Sequence, residues 1–183
     1  MRCLKPALQD QAHHKHRNRE KRAIRSTLQL IDSPPRRTTL METTYVELQE
    51  IPVLRVRADM KGKGPSAAFN LLESKLPTIK GRKFYGTFQP TPHGEEYYAC
   101  VARIDSDDPE KMQLETGAIS GGWYARRRFP EWKKNLSKLP ATFEEMARTH
   151  DVDPARPSVE FYRSQAELLL FLPVRSHPPS EAT

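Results

Sequence analysis

The chain lacks any continuous apolar run long enough to cross a bilayer, and its N-terminus lacks the unbroken apolar stretch of a secretory signal. It has two cysteines, Cys3 and Cys100, among 183 residues. That is too few for a disulfide framework or a cysteine-based zinc site. Cys100 falls in the alternating run EYYACVARI and reads as a small buried apolar residue. A cytoplasmic, reducing setting is expected, with no membrane partner. No nucleophile elbow, metal-ligand spacing or phosphate loop is present, so the motifs do not announce an enzyme, and neither metal nor cofactor is expected.

Aromatic residues are missing altogether from residues 1–40, which contain no Trp, Tyr or Phe. The same stretch holds 10 Lys/Arg against 3 Asp/Glu. Subtracting these from the chain totals of 30 and 23 leaves 20 of each sign from Met41 on, so the net charge of +7 belongs to the leader alone. Such a segment cannot bury a core and is expected to be disordered. Its HHKH run, His13 to His16, and its basic run from Lys15 to Arg25 allow metal or nucleic-acid readings, but nothing nearby completes a site, and a solvated tail is the simpler account. An organellar transit peptide fits poorly, because the segment is poor in Ser and includes acids. Met41, followed directly by strand-like sequence, is an alternative start. The expected organisation is a leader over 1–40, one domain over 41–176 and a disordered tail over 177–183. No second periodic helix precedes the domain to make a helix-turn-helix, so DNA binding by this chain alone is not expected.

From Met41 the chain alternates short strands with two helical stretches. A strand interrupted at Pro52 runs through Val53, Val56 and Ala58. Ala68, Phe69, Leu72 and Leu76 then recur at helical spacing, with Pro65 suited to the first turn and Pro77 closing the helix. Lys83 to Gln89 and Glu95 to Ile104 read as a hairpin, and Gly86 inside the first strand marks a bulge or a close approach. Gln113 to Ile119 and Trp123 to Phe129 read as two more strands. Trp132, Leu136, Leu139, Phe143 and Met146 form a helical seam broken at Pro140. The expected class is α+β, with an order of β-α-β-β and then β-β-α-β-β that suggests an internal duplication.

The last pair of strands, in RPSVEFYRSQAELLLFLPV, carries the most chemistry. Alternation puts Val159 and Phe161 on one face and Glu160 with Tyr162 on the other. In the next strand Leu168, Leu170, Leu172 and Val174 share one face while Leu169 and Phe171 take the other, which is the pattern of a strand buried between two layers. A carboxylate beside such a strand is desolvated and needs a partner or a ligand.

Three segments resemble the GyrI-like, or AraC-type effector-binding, domain family. KFYGTFQPTPHGEEYYACVARI is similar to its first hairpin, GGWYARRRF to its Gly-x-Tyr-Ala strand, and RPSVEFYRSQAELLLFLPV to its closing Pro-x-x-Glu-x-Tyr strand pair. They occur in the family's order and span most of residues 44–174. The resemblance implies two pseudo-symmetric β-α-β-β units with an antiparallel sheet and a central cleft for hydrophobic, aromatic or cationic molecules. It also implies a bacterial setting, since members include sensor halves of transcription regulators, multidrug-binding proteins, a gyrase-inhibitory protein and hydrolases of cyclopropane-bearing genotoxins. By motif position the family's cleft glutamate falls on Glu160 and its neighbouring aromatic on Tyr162, with Trp123 and Tyr124 on the glycine strand. The run Arg126-Arg127-Arg128-Phe129-Pro130 departs from the family's His-x-Gly turn.

The leading expectation is a stand-alone small-molecule-binding protein anchored by Glu160, with Tyr162, Trp123, Tyr85, Tyr97 and Tyr124 as ligand-binding walls and Tyr98 as a further candidate. A carboxylate ringed by aromatics receives a cation through charge and cation–π attraction. In the alternative structural reading, Glu160 pairs with Arg103, Arg126 or Arg128, and each aromatic is ordinary strand packing. Two further functions use the same residues or none of them. One is a hydrolase with Glu160 as general base and Tyr162 as acid. The other is a protein-interaction module, with a protein partner or homodimer engaged through the exterior.

Overall fold

A computed structural model of the chain describes residues 42–176. The chain divides into Met1–Arg37 and Thr38–Thr183, and the described residues belong to the second unit. The expectations for the leader over 1–40 and the tail over 177–183 lie outside the described residues.

The strands are β1 (Thr43–Leu48), β2 (Ile51–Arg57), β3 (Phe84–Thr91), β4 (Gly94–Ala102), β5 (Glu115–Ile119), β6 (Gly122–Pro130), β7 (Ser158–Tyr162) and β8 (Glu167–Pro173). The helices are α1 (Gly64–Lys75), α2 (Pro109–Met112), α3 (Trp132–Asn135) and α4 (Leu139–Thr149), with a 3-10 turn at Leu136–Lys138 between the last two. All strands join one antiparallel sheet in the order β1-β6-β8-β7-β3-β4-β2-β5, which makes the class α+β. The strand expected to be interrupted at Pro52 is two strands broken at Gln49 and Glu50, with Pro52 paired to Ala118 inside the second, and the two have different partners. β1 pairs with β6, whereas β2 lies between β4 and β5. The short α2 had no periodic signal; its start is fixed by the Asp108 carboxylate, which accepts the Lys111 backbone N–H at 3.2 Å.

This order forces strong curvature. β1 and β2 stand six places apart in the sheet, roughly 29 Å if it were flat. Yet only Gln49 and Glu50 join them, a span of at most about 11 Å. β5 and β6 repeat the arrangement through Ser120 and Gly121. The sheet therefore curls, and its inner face gathers Val53 and Ile119 from one end with Tyr124 and Phe171 from the other into one core cluster.

The outer face carries the helices. Ala68 and Leu72 of α1 pack on Leu54, Ala99 and Val101, and Leu76 caps the same cluster. Phe143 and Met146 of α4 pack against Leu168, Leu170 and Leu172 of β8. Every residue of β8 after Glu167 is buried, as its two-faced apolar pattern requires. Between these two helix-covered clusters run β3 and β7, and that seam positions the candidate site.

Candidate functional site

Glu160 lies in the middle of β7, opposite Gly86 of β3 and Leu170 of β8. Its side chain is 6% exposed. Tyr162, two residues on, shares its face and donates its hydroxyl to Glu160 Oε2 at 2.6 Å. Tyr97 reaches the same oxygen from β4, donating at 2.7 Å, and the two phenol oxygens are 3.4 Å apart. Both contacts to Oε2 are short, well-formed O–H···O hydrogen bonds.

Tyr97 can reach Glu160 because β3 has no side chain in the way. A Cβ at position 86 would stand 2.0 Å from the Tyr97 hydroxyl oxygen and 2.8 Å from Glu160 Oε2. The interior glycine marks a close approach of side chains from both neighbouring strands.

Burial pushes the Glu160 carboxyl above its ordinary value, and the two phenol hydrogen bonds only partly offset that cost. The phenols of Tyr97 and Tyr162 are pushed well up, by burial first and by the adjacent carboxylate second. No Lys, Arg or His among the described residues forms an ion pair with Glu160. Of the three arginines considered as partners, Arg126 donates to Thr44 at 3.2 Å and Arg128 pairs with Glu167. Arg103 lines a surface depression on the α2 side with Asp105 and Asp108. Among the described residues, the alternative pairing of Glu160 with an arginine is not found.

Two aromatic side chains from the helices close over Tyr162. Phe69 of α1 meets its ring edge-on at 5.0 Å between centroids, and Trp132 of α3 does so at 5.1 Å. Trp132 is aimed by the chain itself. Glu131 adopts a left-handed φ of 48° and donates its N–H to Ala166 O at 2.8 Å, so the chain turns sharply after β6. The indole N–H then donates to Ser164 O in the β7–β8 turn at 3.1 Å. Neither Phe69 nor Trp132 was singled out by the sequence, where both read as helix core. A helix-borne wall can be found only once the helix is placed over the sheet.

Of the sequence-derived candidates, the structure brings Glu160, Tyr162 and Tyr97 together and separates the others. Tyr85 pairs with Phe161, one residue out of step with Glu160, and stacks on that ring at 4.8 Å on the inner face. Tyr124 also points inward, donating to Ser120 O at 2.8 Å beneath the Arg156 guanidinium. Tyr98 lies under Arg55 and lines an inner-face cavity of about 190 Å³ with Thr87 and Cys100. Trp123 shares Glu160's face and packs in the same cluster as Trp132 and Tyr162. Its strand position is four residues from Arg127, which lies across Leu170 from Glu160, so it stands roughly 13 Å away along the strand direction. Tyr85 and Tyr124 therefore face away from Glu160 by strand parity, and Trp123 is set apart from it along the strand.

No family model and no curated protein matches the chain. Among solved structures, an integron cassette protein of Vibrio cholerae aligns with a TM-score of 0.51 at 18% identity, covering 73% of this chain and 95% of that one. That likeness shows the fold. Two others align at lower scores. A protein solved bound to tetraphenylphosphonium gives 0.48 at 10% identity, over 74% of this chain and 95% of that one. A hydrolase from Listeria innocua gives 0.47 at 11% identity, over 73% and 92%.

Proposed function

We propose that the protein is a receptor for hydrophobic aromatic cations, held above Glu160 between the part of the domain covered by α1 and the part covered by α3 and α4. The reading includes a GyrI-like organisation into two β-α-β-β units, β2-α1-β3-β4 and β6-α3/α4-β7-β8. It is supported by the pairing in each: the first strand lies beside the last, β2 by β4 and β6 by β8, and the two units meet through β3 and β7.

One observation carries the function. Glu160 is buried and bonded by Tyr97 and Tyr162, Phe69 and Trp132 pack on the Tyr162 ring, and no cation among the described residues pairs with the carboxylate. A buried carboxylate without a counter-charge is costly, and a ligand cation supplies both the charge and a surface for the rings. The anchoring role is favoured over proton transfer, because Tyr162 donates into Glu160 and its raised pKa makes it a poor acid near neutral pH.

A thermal-shift screen against cationic aromatic dyes and neutral electrophiles, run on the wild type and Glu160→Gln, tests the proposal. Cations should raise the melting temperature of the wild type by mass action and leave the variant unmoved. Shifts that persist in the variant place binding elsewhere. Consumption of an electrophile that stops in the variant would replace the receptor with a hydrolase, and a complete lack of shifts in a cooperatively melting protein would favour the interaction module.

A further inference from the structure

The two oxygens of the Glu160 carboxylate are not equivalent. Both phenols, Tyr97 and Tyr162, donate to Oε2, and Oε1 accepts no hydrogen bond from the described residues. Oε1 is not sealed off either. Only one side-chain nitrogen or oxygen among the described residues is both enclosed and unpartnered, and that atom is Arg82 Nε. The unpartnered Oε1 is therefore not completely enclosed, although the Glu160 side chain as a whole is buried. The phenols cannot readily turn to serve it. Tyr97 is threaded through the gap at Gly86, and the Tyr162 ring is held by Phe69 and Trp132.

From this asymmetry we infer that the cleft selects cations carrying an N–H, that is protonated amines, amidines or guanidines, over quaternary cations of the same size. The inference rests on the receptor reading above. A carboxylate has about four lone-pair positions, and the protein fills two of them, both on one oxygen. A cation with an N–H completes the other oxygen with a charge-assisted bond. A quaternary cation brings the same charge and the same attraction to the rings, but its charge sits behind carbon. Once it displaces water from Oε1, that oxygen is left buried without a donor, which is the expensive outcome for an ionised acceptor.

A matched series on one aromatic frame separates these effects in the full-length protein: 4-phenylbutylammonium and its N,N-dimethyl and N,N,N-trimethyl forms, each titrated calorimetrically near neutral pH. All three are singly charged. The dimethyl form keeps one N–H while carrying nearly the bulk of the trimethyl form. The primary and dimethyl ammonium ions should bind about tenfold or more tighter than the trimethyl ion, with the dimethyl ion siding with the primary one. In Glu160→Gln this preference should vanish.

Equal or tighter binding of the trimethyl ion overturns the inference and leaves the receptor reading standing. A dimethyl ion that binds as weakly as the trimethyl ion also overturns it, since bulk then decides. If no member of the series binds, and aromatic dyes also fail to shift the melting temperature, the receptor reading falls and takes this inference with it.

Discussion

Gly86 stands directly across the β3–β7 ladder from Glu160, and the side chain it lacks is the space through which Tyr97 reaches the carboxylate. Three strands thus contribute to one hydrogen-bonded cluster: β4 the first phenol, β3 the gap, and β7 the acid with the second phenol. The site depends on a missing atom as much as on the groups present.

Gly86→Ala should break this cluster. The new Cβ lies within contact distance of both Tyr97 and Glu160, so one of them must move. Denaturant unfolding should show a loss of about 1–3 kcal/mol, typical of overpacking, together with loss of cation binding. Unchanged stability and binding would contradict the packing described.

The pH dependence of stability has a defined sign. In the empty protein burial raises the Glu160 pKa above its ordinary value of 4.5. The native state therefore holds this proton more tightly than the unfolded chain does. The stabilisation is fully present below the unfolded-state pKa and is lost as pH rises through the folded one. Glu160→Gln has no such group. Urea titrations from about pH 4 to about pH 8 should show the variant gaining on the wild type as pH rises, by about 1.4 kcal/mol for each tenfold by which folding tightens the hold on that proton. Affinity for a permanently charged ligand should rise over the same window. A pH-independent difference between the two proteins would contradict the burial described.

Trp132 provides an optical reporter. It packs edge-on against Tyr162, while Trp123 stands four residues along β6 from Arg127, the residue level with Glu160 across Leu170. With Trp123→Phe leaving one indole, ligand entry should change the emission of Trp132. With Trp132→Phe, the remaining Trp123 should respond little. A response confined to Trp123 would move the cleft.

Arg82 and Asp107 form a buried ion pair that plays no part in the site. The guanidinium donates to both carboxylate oxygens, at 2.9 and 2.6 Å, and to Ala102 O at 2.9 Å, and the side chains are 5% and 2% exposed. Asp107→Ala leaves that arginine enclosed without its counter-charge and should cost about 3–5 kcal/mol. Ligand affinity of the folded fraction should be unchanged, which makes this variant a control for stability effects on binding.

The sequence disclosed the parts of the site that depend on local periodicity. Alternation alone put Glu160 and Tyr162 on one face, opposite Val159 and Phe161, and the glycine inside β3 signalled a close approach before its neighbours were known. Alternation could not say that Tyr97 rather than Tyr85 or Tyr98 would share that face, because face identity passes between strands only through register. Gly86 faces Glu160 on one side and Ala99 on the other, and this pairing makes the odd residues of β4 the relevant ones. Phe69 and Trp132 were illegible for a different reason. Their contact with Tyr162 depends on where α1 crosses the sheet and on the left-handed turn at Glu131, and neither leaves a periodic trace. The break expected at Pro52 falls instead at Gln49 and Glu50, with Pro52 inside β2 opposite Ala118, and the partner of each strand is fixed by the curl of the sheet.

The central claim is that Glu160 anchors a cationic ligand, and the most direct test is calorimetric titration of one aromatic ammonium ion into the wild type and Glu160→Gln at the same pH. The account predicts single-site binding to the wild type and a loss of about tenfold or more in the variant, with the variant folded and melting cooperatively. Equal affinities for the two proteins would contradict it.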